Sequence, residues 1–291
     1  MINFLKRRID RNDSKDRSLP LVAKRKKKKI VFVVEKRQKF VIMVMLLSLT
    51  LFIVEFTGYR FTNSGIVIAI ILSLLTDLLL FWAIREDLKQ SFSWSVFILP
   101  FLFSLAFSMF YFLTPARFLS RILLTSLYAF GLYSLLLSQN IFIVASTRTI
   151  ALLSGARIVS FVLTLVSYFF LTNIAFSLHI FLIPSILIVF LYTFLLLQHS
   201  LWTYTLQKTI YPLSLWVLCL TLCLVEIAAV LWFWPSSPTV VALFLTGFFY
   251  TIAGMSHVWL EKRLFRGVLW EYVWVGTIVF FVLVLFTPWG K

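Results

Sequence analysis

Acidic residues are scarce in this chain, with eleven Asp and Glu against 27 Lys and Arg in 291 residues, and charged side chains make up only 13%. Soluble domains carry roughly a quarter charged residues, so a water-facing surface of the usual kind is excluded. Cysteine is nearly missing too. Cys219 and Cys223 stand one helical turn apart inside an apolar run, which excludes a disulfide framework and suits the packing of small polarizable side chains. Three histidines and no His-Glu-x-x-His spacing leave no metal signature. His257 and Glu261 lie at i and i+4, with His199 the other imidazole near the same level, and no metal or other cofactor is expected. The Gly254-Met255-Ser256-His257 stretch has the Gly-x-Ser of intramembrane serine proteases, but a single span follows it and brings no histidine to act as base.

What the chain has instead is apolar surface. Hydrophobic residues reach 61%, phenylalanine alone counts 32, and the mean hydropathy is +0.99. This is the composition of an integral membrane protein. A net charge of +16 suggests a nucleic-acid partner at first sight, yet fifteen cations and four acids crowd into residues 1–39. The charge belongs to one tail, so membrane lipids and not nucleic acid are the expected partner. Its densest block, Lys24, Arg25, Lys26, Lys27, Lys28 and Lys29, is expected against anionic headgroups at about 1 kcal/mol per cation. The tail, residues 1–39, reads as partly disordered or interfacial, and residues 40–291 as a single transmembrane helical domain. The first apolar run is full length and lacks a small-x-small cleavage site after it, so it reads as an anchor and not a signal peptide.

Apolar runs long enough to cross a bilayer fall at 40–57, 66–84, 94–113, 120–145, 155–172, 174–197, 211–233, 239–260 and 268–287. The predicted fold is therefore an all-α bundle of about nine transmembrane helices with a cytoplasmic N-terminus. That orientation leaves only Arg60, Arg117, Arg121 and Lys291 of the 27 cations outside. Eight spans result if the polar stretch from Gln139 to Arg157 is re-entrant. Tight turns are expected at Thr172-Asn173 and at Pro235 to Pro238, and kinks at Pro100 and Pro184. The placement suits a cell membrane, with a bacterial cytoplasmic membrane as the expected location.

Acids inside the spans are the best pointers to chemistry, because each costs about 2.5–3.5 kcal/mol at the bilayer centre. Asp77 stands near mid-depth with no cation on its span, so it is expected to be protonated, hydrated, or paired with Gln139 or Asn140. It is the candidate for a proton or cation site, or for a neutral acid linking helices. Glu55 and Glu226 count to a similar depth, roughly 22 Å from the inner boundary, and are expected to face one outer cavity. Ser48 lies two turns before Glu55; Ala69, Ser73, Thr76 and Asp77 share a face, as do Cys219, Cys223 and Glu226, and both stripes read as facing inward. Arg60, Arg117 and Arg121 sit at the outer rim, where guanidinium groups suit a lipid phosphate while a carboxylate serves as base. An acid late in the first span resembles that of membrane glycosyltransferases that use polyprenyl-linked sugars. The resemblance covers Glu55 and its surroundings, beside a first outer loop of only about Gly58 to Gly65.

No catalytic signature emerges. The expected function is binding or transport of a small or lipid-like ligand through a cavity lined by the first, second and seventh spans. The alternatives are a transferase acting on a lipid-linked substrate, and a scaffold whose acids only hold helices together.

Overall fold

A computed structural model describes residues 36–54, 63–88, 93–114, 118–146, 151–206 and 211–288. The chain divides into residues 1–34 and a compact unit of residues 35–291, to which all described residues belong. Among these the secondary structure is helical throughout: α1 (Lys36–Val54), α2 (Asn63–Leu88), α3 (Ser95–Leu113), α4 (Phe118–Ala145), α5 (Leu153–Ser177), α6 (Leu182–Thr205), α7 (Tyr211–Trp232), α8 (Pro238–Leu260) and α9 (Arg266–Phe286). Each holds a window long and apolar enough to cross a membrane. In hydrocarbon the backbone must satisfy its own hydrogen bonds, and a run of eighteen or more apolar residues does so as a helix. Short connections make successive helices antiparallel. Arg85, Arg157, Lys262, Arg263 and Arg266 then gather at one end, the basic end of the bundle.

α3, α5 and α6 form the centre. α5 packs against α3, α4, α6 and α8, and α3 also packs against α2, α4 and α6, while α1, α7 and α9 lie at the periphery. Between helices in lipid the driving force is close packing and hydrogen bonding, since lipid tails are as apolar as Leu. The centre supplies both. Phe107 meets Phe170 edge-on at 4.8 Å, and Phe110 stacks on the same ring at 4.2 Å. Thr76, Ser104 and Tyr128 link α2, α3 and α4 by hydroxyl contacts of 3.0 and 3.1 Å.

Glycines set the closest approaches. A methyl group on Gly131 would lie 2.6 Å from the Phe103 ring. On α8, one on Gly247 would lie 2.6 Å from Val279 and one on Gly254 2.5 Å from Tyr272, so α9 docks through two glycines two turns apart. A Gly247→Ala variant is expected to lose about 1–3 kcal/mol, the cost of overpacking. Thermal unfolding in mild detergent measures the loss, together with faster proteolysis of α9. Gly155→Ala, whose methyl meets nothing within 4 Å, is the matched control and stays at or slightly above wild type.

Three local expectations are corrected. The chain does not turn at Thr172-Asn173, because α5 runs on to Ser177 and the connection to α6 comes after it. Both polar side chains are satisfied between helices: Thr172 pairs with the Tyr192 hydroxyl at 2.9 Å, and Asn173 donates to Thr239 at 3.1 Å. Neither needs water or a turn. Pro184 falls in the first turn of α6, not mid-span, where its missing N–H has no carbonyl to serve, so the reason for a kink disappears. Cys219 and Cys223 are both exposed and not packed.

Candidate functional site

The polar interior of the bundle is concentrated where α6 nears the basic end. From Leu196 to Thr203 every residue of α6 is buried, because α3, α5, α7 and α8 surround the helix there. This stretch carries Gln198, His199, Ser200, Trp202 and Thr203, so three successive polar side chains point in different directions into protein. Polar groups so placed must find partners on the surrounding helices or go without.

His199 finds three. Its Nδ1–H donates to the Ser95 carbonyl of α3 at 2.6 Å, a group that can only accept, and this fixes the tautomer. Nε2 is then the acceptor, within 3.3 Å of the Ser160 hydroxyl on α5 and 3.4 Å of the Gln139 amide nitrogen on α4. One imidazole thus ties four helices together. Ser200 turns the other way and meets Nε2 of His257 on α8 at 2.9 Å. The His257 ring stacks on Tyr204 at 4.1 Å and receives the edge of Phe161 at 4.9 Å.

Arg157 of α5 closes the cluster on its basic side. Its Nε and Nη2 donate to the carbonyls of Thr203 and Tyr204 at 3.1 and 3.2 Å, and its guanidinium lies 4.6 Å over the Tyr204 ring. Nη1 meets Glu261, the residue that follows α8, at 3.4 Å. A cation on the orphan carbonyls at a helix C-terminus also opposes the negative end of the helix dipole. Arg121 repeats the device at the opposite end of the bundle. Buried on α4, it donates to the carbonyls of Tyr111 and Thr114 at the end of α3, at 2.9 and 3.3 Å, and lies 4.2 Å over the Tyr111 ring.

Several polar atoms in the cluster are buried without a partner: both amide atoms of Gln198, Oε1 of Gln139, Oδ1 of neighbouring Asn140, and the indole N–H of Trp202. Together they present donors and acceptors with no net charge. They lie on α4 and α6; of their side chains, those of Gln139 and Trp202 are next to His199, the Trp202 ring at 6.1 Å.

The acids expected to carry function are not assembled with this cluster. Asp77 lies at mid-span on α2, half-buried, one residue beyond Thr76 of the hydroxyl chain, with its Oδ1 buried and unpartnered. The expected link to Gln139 or Asn140 is not formed, because Gln139 is turned to His199 and Asn140 Oδ1 has no partner. Glu226 is exposed on α7. The stripe it shares with Cys219 and Cys223 faces outward and not inward, since α7 buries the opposite line of Val217, Thr221, Leu224, Ala228 and Leu231. α7 packs on α6 and α8 while α2 packs on α3, α1 and α4, so Asp77 and Glu226 do not share a cavity. Glu55, Arg60, Arg117 and the Lys24, Arg25, Lys26, Lys27, Lys28 and Lys29 block lie outside the described residues. Among the described residues no three His, Cys, Asp or Glu side chains converge as metal ligands.

The sequence singles out His199, His257 and Glu261, but gives no site role to Gln198, Ser160, Ser200 or Arg157. The available signal was the run Gln198-His199-Ser200 within an otherwise apolar span. Charge was the wrong marker, because the site is built mainly from uncharged groups.

Among the described residues, nine apolar helices of membrane-crossing length, with polar side chains enclosed near one end, define a multi-pass membrane protein. The chain belongs to a family of proteins of unknown function, DUF5656, whose model matches residues 47–286. No curated protein and no solved structure matches it.

Proposed function

We propose that this protein binds a small, neutral, hydrogen-bonding solute at the buried amide of Gln198, and moves it between that position and the basic end. The observation that carries the reading is the Gln198 side chain, almost fully enclosed in a membrane-spanning helix with neither amide atom paired. An unpaired buried polar group costs about 1–3 kcal/mol, and a ligand that offers both a donor and an acceptor removes that cost. His199 and Arg157 hold the surrounding helix ends in register. Asp77, alone at mid-span, is the candidate for a coupling proton or cation. The basic tail would rest on anionic headgroups.

Gln198→Leu separates ligand binding from structural support. With the unpaired amide removed, the variant is expected to be more stable than wild type by about 1–3 kcal/mol and to have lost the solute. Native mass spectrometry of gently extracted protein reads the second effect and thermal unfolding the first. A Gln198→Leu protein that is less stable, or that keeps the same bound species, sinks the reading.

A further inference from the structure

At the end of the bundle opposite the basic end, the last turns of α5 and α7 and the first turn of α8 border a cavity of about 440 Å³. That volume falls in the range of about 300–1,000 Å³ typical of small-molecule sites. His179 lines it, and α6, which begins three residues later, rises about 24 Å between Leu182 and Gln198. The cavity is therefore separate from the Gln198 site. Its lining is graded with depth. His179, Trp234 and Ser236 lie in the connections beyond the spans, while Leu231, Trp232 and Val241 lie within them. A ligand that matches both levels is polar at one end and apolar at the other, as a lipid headgroup and its first chain atoms are. No Lys, Arg, Asp or Glu is among the described residues that line the cavity, so nothing there pairs with the phosphate of a phospholipid.

The polar groups suit hydroxyls. His179 takes a left-handed backbone, φ 47°, just past the end of α5, where glycine is the usual residue. Its Nδ1–H donates to the Ser177 carbonyl at 2.9 Å, a group that can only accept, so Nε2 is the acceptor that the neutral ring offers. The turn that carries Ser236 is closed by its backbone N–H on the Trp234 carbonyl at 2.8 Å, and the Ser236 hydroxyl oxygen is buried with no partner. Trp234 is held in place by its indole N–H, which donates to Thr287 at 2.8 Å. Two tryptophans beside two hydrogen-bonding side chains match a sugar ring, whose C–H face packs on aromatic rings while its edge presents hydroxyls.

We infer that this cavity binds the uncharged sugar headgroup of a glycolipid. Trp232 and Trp234 pack on the ring, His179 and Ser236 bond its hydroxyls, and Leu231 and Val241 meet the first apolar atoms of the lipid. A diacylglycerol, with a single hydroxyl, satisfies only one of the two polar groups. Free glucose satisfies both but leaves the deeper, apolar level unfilled.

The test places full-length protein in phosphatidylcholine vesicles that hold monoglucosyldiacylglycerol, dioleoylglycerol and phosphatidylglycerol in equal amounts. Extraction in a detergent without a sugar headgroup, followed by native mass spectrometry, measures the lipid retained. Monoglucosyldiacylglycerol is expected to be enriched about tenfold over the other two, the effect of two modest hydrogen bonds. Glycine suits the left-handed backbone at position 179, and Ser236→Ala removes a hydroxyl with no partner, so His179→Gly and Ser236→Ala are both expected to unfold close to wild type. Each is expected to lower the enrichment to about threefold, and the double variant to abolish it. Millimolar glucose is expected to displace little of the glycolipid. Equal retention of the three lipids, a preference for phosphatidylglycerol, or a double variant that keeps the wild-type preference would overturn the proposal. Full displacement by glucose would overturn it too, in favour of a soluble sugar.

Discussion

His199→Leu is expected to lower the unfolding free energy by about 2–4 kcal/mol, because one imidazole satisfies groups on three other helices. Leucine fills a similar volume but leaves the Ser160 hydroxyl and the Gln139 amide nitrogen without the Nε2 acceptor they share. It also removes the 2.6 Å bond to the Ser95 carbonyl at the start of α3. Orphaned groups dominate the loss, each at about 1–3 kcal/mol, and the Ser95 carbonyl contributes least because it begins the α3 ladder. The double variant His199→Leu, Gln139→Leu is therefore expected to be less destabilised than the sum of the singles, since each change removes a group the other has stranded. Thermal or denaturant unfolding in mild detergent measures all three. Strict additivity would show that the two side chains do not interact.

Arg157→Ala is expected to cost about 3 kcal/mol, with most of the loss from the two carbonyl bonds and not from the ion pair. Hydrogen bonds to a charged group contribute about 1.5–3 kcal/mol each where they are shielded. The pair with Glu261 is partly exposed, with the two side chains 19% and 36% accessible, so it adds little. Glu261→Gln then changes stability by under about 1 kcal/mol, and Arg157→Lys, lacking the planar fork, behaves more like Ala than like wild type. Loss of Arg157 also frees the Tyr204 ring that stacks on His257, so accelerated hydrogen exchange is expected at the ends of both α6 and α8. An Arg157→Ala protein with wild-type stability would show that α6 ends without need of its cap.

The paired behaviour of Arg157 and Arg121 bears on the rim arginines. Position alone made Arg121 a phosphate ligand; in the structure its two terminal nitrogens bond to the last carbonyls of α3. The distinction was invisible in sequence because the carbonyls it serves precede it by seven and ten residues across a helix boundary. Arg157 serves carbonyls 46 and 47 residues later.

Where the chain was apolar over a membrane thickness, length and hydropathy were enough to read the structure: among the described residues it is all-helical with nine spans, and Arg85, Arg157, Lys262, Arg263 and Arg266 gather at one end. Hydrocarbon offers no other way to satisfy a backbone, so length and hydropathy suffice. Where a residue was polar inside a span, sequence ranked it by charge and chose Asp77 and Glu226, yet its function depends on what it faces. Gln198 is enclosed because α6 is ringed by helices at that turn, and Glu226 is exposed because α7 buries its opposite seam. Both outcomes follow from which helices pack on which, and the period of an isolated helix does not say which of its two faces will be covered.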